Sequence, residues 1–207
     1  MNLTRIAVIV VALVLWFGTQ KLIARKSDLG PGIGDFIHRL TGKLHGYFSA
    51  NDKAANRALI ISSLFIDVLG LSLIAFSVFG SSFAPFIGII IVFSLRQISQ
   101  LCCTLPPPPG MIWRDPGFPA LLVTYDVGND FFFSGHTALA VLGAIEVCHF
   151  GPWWMGVLAV LIALGEAVIV LILRAHYTLD VITGVFAAWF AADVAGRIAP
   201  FVDQCFN

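Results

Sequence analysis

The chain has 207 residues, of which 58% are hydrophobic and 12% charged, and its twelve basic residues balance twelve acidic ones. Soluble domains carry about 25% charge, so this composition, with a mean hydropathy of +0.91, excludes a water-soluble globular fold. A neutral chain without a basic stripe also excludes a nucleic-acid partner.

A helix that crosses a bilayer needs roughly 20 apolar residues. Six stretches qualify, at 6–24, 58–79, 83–104, 134–150, 153–173 and 177–198, the fourth being short. The first is followed by a basic flank, TQKLIARK, and by no small-x-small cleavage site, so it reads as a span and not as a signal peptide. The expectation is an all-α polytopic membrane protein, a single domain over 1–207 with six transmembrane helices. Between the first two spans, Phe36, Leu40, Leu44 and Phe48 recur every four residues, opposed by Arg39 and Lys43. That stripe predicts an interfacial amphipathic helix, or equally one packed on the bundle, with His38 and His45 on or near its polar side. LPPPPG, at 105–110, predicts a stiff extended connection that shapes the rim. Cys102, Cys103, Cys148 and Cys205 lie in or beside apolar segments without metal-ligand spacing and read as buried thiols. The break between the fifth and sixth spans is read at 174–176, although LRAHYTLD holds neither Gly nor Pro.

Six spans place both termini on one face. The loops 25–57 and 105–133 and the 174–176 turn share the other face, from which His136 opens the fourth span and His176 the sixth. Lys21, Arg25, Lys26, Arg39, Lys43, Lys53, Arg57, Arg114 and Arg174 lie on this histidine face, against only Arg5 and Arg197 on the terminal face. The positive-inside rule then predicts a cytosolic histidine face.

The polar residues at that face suggest chemistry. His176 and Asp180 are four apart and share a helix face, where a carboxylate fixes the imidazole tautomer and stabilises its positive form. The bland reading is a helix-capping Asp beside an interfacial His, and for this pair alone the two stand level. Ser134 suits an N-cap, and Gly135 lets a ligand approach the backbone of a helix start, which is an anion site. His136 stands at its edge, able to give or take a proton. Arg96 sits inside the third span, about eight residues from its end at this face, where a buried cation is costly and usually functional or paired. Asp67, Glu146 and Glu166 each lie nine or ten residues in, ~14 Å deep, as partners for Arg96 or for a cationic headgroup. A buried structural polar network weighs equally for these acids. Two histidines, one Asp and a phosphate site at a membrane surface point to phosphoryl chemistry on a lipid. His176 would attack phosphorus, and His136 would protonate the departing oxygen and deprotonate the incoming hydroxyl.

FFFSGHT and HYTLD resemble the two histidine motifs of the sphingomyelin synthase family, within the type-2 phosphatidic acid phosphatase superfamily. LRQISQLCCTLPPPPG looks like that family's Arg-containing segment, and DVGNDFFFSGH is similar to the plant phosphatidylcholine:diacylglycerol cholinephosphotransferases. The resemblance implies a His136, His176 and Asp180 triad and headgroup transfer through a phosphohistidine, without metal or other cofactor. Asp130 takes the position of an Asp in the synthases' Cys-Gly-Asp motif, with Gly128 and Asn129 replacing Cys-Gly. Val170 stands where the ordinary phosphatases carry an Arg. Thr137 and Tyr177, inside the two motifs, join Arg96, Ser134, Gly135, Asp130, Asp67, Glu146 and Glu166 as candidate substrate contacts.

The reading is a lipid headgroup phosphotransferase in the endoplasmic reticulum or another endomembrane. It moves phosphocholine or phosphoethanolamine from a glycerophospholipid such as phosphatidylcholine to diacylglycerol or ceramide. The alternatives are a lipid phosphate phosphatase, a phospholipase C-like hydrolase, and a non-catalytic transporter or scaffold. A homo-oligomer is left open.

Overall fold

The computed structural model describes residue 14 and residues 33–123, 125 and 131–204. The predicted first span apart from Val14, together with Asp130 and Cys205, lies outside the described residues. Within them the regular structure is helical: α1 (Phe36–Leu40), α2 (Gly42–Ala50), α3 (Asp52–Phe79), α4 (Ala84–Cys102), α5 (Gly135–Phe150), α6 (Trp153–Ile172) and α7 (Thr178–Asp203). Four of these, α3, α4, α6 and α7, are long and apolar enough to cross a membrane, while α5 has 16 residues. Local chemistry sets the boundaries. The Asn51 side chain accepts from Ala54 N–H at 3.2 Å to start α3, Pro85 stands in the first turn of α4, and Gly80 and Gly151 end α3 and α5.

Helix α5 is the centre of the bundle and packs against α3, α4, α6 and α7. Its Ala138, Ala140, Gly143 and Ala144 are small and buried, which lets neighbouring backbones come close. A side chain at Gly143 would strike Leu69 of α3, and one at Gly88 of α4 would crowd Leu142. The outer surface is the reverse: Phe79 is 87% exposed, Leu101 86% and Trp153 81%. Water does not tolerate apolar patches on this scale, whereas lipid does.

Several expectations change. The single amphipathic helix is two helices joined at Thr41, whose Oγ1 donates to the Ile37 carbonyl at 2.7 Å. Phe36, Leu40 and Leu44 face outward, while the histidines on the opposite side, His38 and His45, are buried. Cys102, Cys103 and Cys148 are exposed, because they lie on the outer apolar surface. The three acids do not share one depth. Glu166 meets Ser62 of α3, and Asp67 lies five residues further along that helix, ~7.5 Å at 1.5 Å per residue. Asp67 instead accepts from the N–H groups of Leu121 and Leu122 at 2.9–3.2 Å, holding a loop that folds back against α3.

The break between the last two helices occurs without Gly or Pro. Ala175 N–H donates to the Val170 carbonyl at 2.8 Å and Arg174 N–H to that of Leu171 at 3.2 Å, the paired bonds of a Schellman motif. Arg174 occupies the left-handed position at φ 55° where Gly is usual, and its Nη1 donates to the Pro109 carbonyl at 2.9 Å. Left-handed backbone costs an L-residue about 1–2 kcal/mol. Arg174→Gly, which trades that strain against one hydrogen bond, should shift the unfolding temperature in detergent little. Arg174→Val should lower it clearly, because a β-branched residue resists this conformation.

Candidate active site

The starts of α5 and α7 meet directly. Ser134, the N-cap of α5, donates its backbone N–H to the Asp180 carbonyl in the first turn of α7 at 3.2 Å. Gly184 makes the approach possible, since a Cβ there would lie 2.8 Å from the Ser134 carbonyl oxygen. Ser134 Oγ accepts from Thr137 N–H at 3.2 Å and from Thr137 Oγ1 at 3.0 Å, and both residues are fully buried. One of the helix's first-turn donors is thereby satisfied, and the N–H groups of Gly135 and His136 have no intrahelical acceptor. Arg96 Nε donates to the Phe133 carbonyl at 3.2 Å, and its side chain crosses Gly135 so closely that a Cβ would stand 3.0 Å from Nε. A guanidinium and a helix N-terminus thus converge on one spot, which favours an anion.

The two imidazoles flank that spot with ring centroids 6.4 Å apart. His136 Nε2 and His176 Nδ1 are buried without a hydrogen-bond partner. His176 Nδ1 lies 3.7 Å from Asp180 Oδ2, longer than a hydrogen bond. The same Oδ2 accepts from Tyr177 N–H at 2.9 Å, so Asp180 caps its helix and faces His176 at once. Trp113 stands edge-on to His136 at 5.0 Å, and Phe131 to His176 at 6.1 Å.

The geometry therefore gathers His136, His176, Asp180, Ser134, Gly135, Thr137, Tyr177 and Arg96. It does not bring the acids to them: Asp67 holds the 121–122 backbone, Glu166 Oε1 accepts from Ser62 Oγ at 2.8 Å, and Glu146 is buried eleven residues along α5. Asp130 lies outside the described residues.

Trp113 and Asp35 are residues that sequence reasoning passed over, while His38 and His45 were read only as lying on or near the polar side of the amphipathic stripe. Trp113 carries no motif. Asp35 sits one residue before a helix, a cap signal, and its side chain does accept from His38 N–H at 3.1 Å. It also accepts from Thr178 N–H at 2.6 Å and Thr178 Oγ1 at 2.8 Å. The N-terminus of α7 is thus already filled by a carboxylate, and of the two helix starts only that of α5 is left for a ligand anion.

His45 Nδ1–H donates to the Ile172 carbonyl at 2.9 Å, and Nε2 accepts from Ser49 Oγ at 3.2 Å. Burial, with the positive charge of Arg174 adding to it, pushes the His45 pKa below its ordinary value, against the hydrogen bond to Ile172. The folded state therefore favours neutral His45. Its contribution to stability is fully present above about pH 6.5 and is lost as pH falls below that value. Thermal unfolding followed from pH 7.5 to 5 should show this loss, and His45→Asn, whose amide supplies the Nδ1 donor, should flatten it. Gly184→Val should separate α5 from α7. The overpacking should cost roughly 1–3 kcal/mol in unfolding and reduce turnover by more than about tenfold.

A family model described as AtPDCT1/2 matches residues 35–197, a span that contains every residue gathered at the site. Comparison with curated proteins and with solved structures found no match.

Proposed function

The chain belongs to the AtPDCT1/2 family, the phosphatidylcholine:diacylglycerol cholinephosphotransferases, and is a cholinephosphotransferase; from that membership we propose that it exchanges phosphocholine between phosphatidylcholine and diacylglycerol through a phosphohistidine at His176. The observation that carries this reading is the pair of buried imidazoles, 6.4 Å apart, each with a buried nitrogen that has no hydrogen-bond partner. They stand beside an arginine and an open helix N-terminus.

Phosphatidylcholine enters with its phosphate at the start of α5. Its non-bridging oxygens face Arg96 and the N–H groups of Gly135 and His136, which stabilise the charge that builds up in transfer. Asp180 holds the Nδ1 side of His176 and stabilises the positive ring, so Nε2 is the nucleophile. Nε2 forms a bond to phosphorus as the bond from phosphorus to the glycerol oxygen breaks, and His136 delivers a proton to that oxygen. Diacylglycerol leaves, and phosphocholine stays on His176. A second diacylglycerol then gives its hydroxyl proton to His136 and its oxygen to phosphorus. The phosphorus–nitrogen bond breaks and a new phosphatidylcholine departs. Trp113 and Phe131 border the two imidazoles and offer aromatic contact to the choline cation.

Diacylglycerol is the acceptor that the family implies; ceramide, considered from the synthase resemblance, gains no support from the match. The same reading takes the chain as one six-span domain, with its first span at 6–24 and the α1–α2 pair in the headgroup layer. The histidine end then faces the cytosol in an endomembrane.

The test is purified protein in liposomes holding phosphatidylcholine labelled in its choline headgroup, with diacylglycerol, ceramide or neither. Label should move between phosphatidylcholine species only when diacylglycerol is present, and His176→Ala and His136→Ala should each reduce transfer by at least about a thousandfold. Free phosphocholine without new lipid would make the protein a hydrolase. Labelled sphingomyelin would make ceramide the acceptor.

A further inference from the structure

His176 lies in the linker 173–177 between α6 and α7, where no helical ladder holds the backbone. On the α6 side the Schellman bonds of Arg174 and Ala175 fix it. On the α7 side Asp180 holds the Tyr177 N–H, and a further restraint comes from elsewhere in the chain. His38 Nε2–H donates to the carbonyl of His176 itself at 3.0 Å, across 138 residues, and the His38 ring stacks on Tyr177 at 5.8 Å with the planes 29° apart. Asp35 grips the next residue through two bonds, from Thr178 N–H and Thr178 Oγ1, while also capping α1 through His38 N–H. Burial opposes charge on Asp35, but the hydrogen bonds from Thr178 and His38 outweigh it and hold the carboxyl below its usual range. It is therefore ionised at neutral pH.

We propose that Asp35 and His38 are positioning residues for the transfer reaction, which hold the His176 backbone so that its imidazole faces the phosphate site. This rests on the reading of His176 as nucleophile. The physical reason is rotation. The peptide at 176 has one external restraint on its carbonyl, from His38, and one on the following turn, from Asp35. Without them the linker turns about its backbone and carries the imidazole away from Asp180 and His136. A displacement of about 1 Å at a nucleophile costs up to 100-fold in rate. Neither Asp35 nor His38 touches the phosphate, so substrate binding is spared.

The test compares wild type with Asp35→Ala, His38→Ala and His38→Gln in the same liposomes. Three readouts are followed: kcat and KM for phosphatidylcholine, the unfolding temperature in detergent, and the rate at which diethyl pyrocarbonate acylates His176, read by mass spectrometry. The exposed His149 of α5 serves as internal reference for acylation. The expected result is a kcat lowered between about 10- and 100-fold in the two alanine variants, with KM within about threefold. His38→Gln, whose amide donates to the same carbonyl, should recover most of the activity that His38→Ala loses. The acylation rate at His176, relative to His149, should change several-fold in Asp35→Ala. An unchanged kcat would overturn the proposal. So would a loss confined to KM or to unfolding temperature, or one that His38→Gln fails to recover. If wild type itself transfers no phosphocholine, the reading of the site fails separately. The acylation rates then still decide the positioning role, and equal rates in wild type and Asp35→Ala would end it.

Discussion

The hydrogen bond from Ser134 N–H to the Asp180 carbonyl joins two helix starts that are 46 residues apart in sequence, and the rest of the bundle is arranged around it. It requires α5 and α7 to touch backbone to backbone. Gly184 allows this on one side, and a buried N-cap with no unsatisfied hydroxyl allows it on the other. Because His136 lies two residues from that contact and His176 four, fixing the contact also constrains the distance between the imidazoles. Arg96 is then set by the same junction, since it rests on Gly135 and bonds the carbonyl that precedes Ser134.

Charge is distributed by a related constraint. Two helix N-termini point at one region, and each attracts an anion. One is satisfied internally by Asp35, and the other retains open donors beside a guanidinium. Of the two helix starts, only that of α5 thus keeps open donors for an anion, where the dipoles alone would favour two. Of the deeper acids, Asp67 and Glu166 bond protein groups. Asp67 accepts the backbone donors of a loop folded against α3. Asp180 makes both kinds of contact. Its carboxylate caps Tyr177 and faces His176, so the structural and the catalytic readings of that residue are compatible.

The α1–α2 pair shows the same economy. Phe36, Leu40 and Leu44 turn outward while Phe48 packs beside Ala55 and Leu59, and the histidines turn in, His38 bonding the carbonyl of His176 and His45 that of Ile172 at the end of α6. An element that the sequence leaves between the headgroup layer and the bundle is therefore bonded to the segment that carries His176.

Much of this was determined by the sequence alone. Apolar length sets which segments become long helices, because burial in lipid depends on little beyond hydropathy and span. Ser134 is an N-cap, and the two histidine motifs share one end of the bundle, as local residue chemistry and helix parity require. Tertiary structure decided the remainder. The Schellman break at Arg174 has no Gly or Pro to announce it; the guanidinium bond to Pro109, 65 residues away, accompanies the left-handed backbone. Asp35 reads as the cap of one short helix, and only folding adds the start of α7 to its partners. Asp67, Glu146 and Glu166 count to similar depths in sequence but part company in space, because α3 begins at Asp52, six residues before the apolar run. Hydropathy and capping act over a few residues and can be read in a line. Partnership between polar groups in a low-dielectric bundle is settled by which backbones come close, and that depends on the packing of the whole.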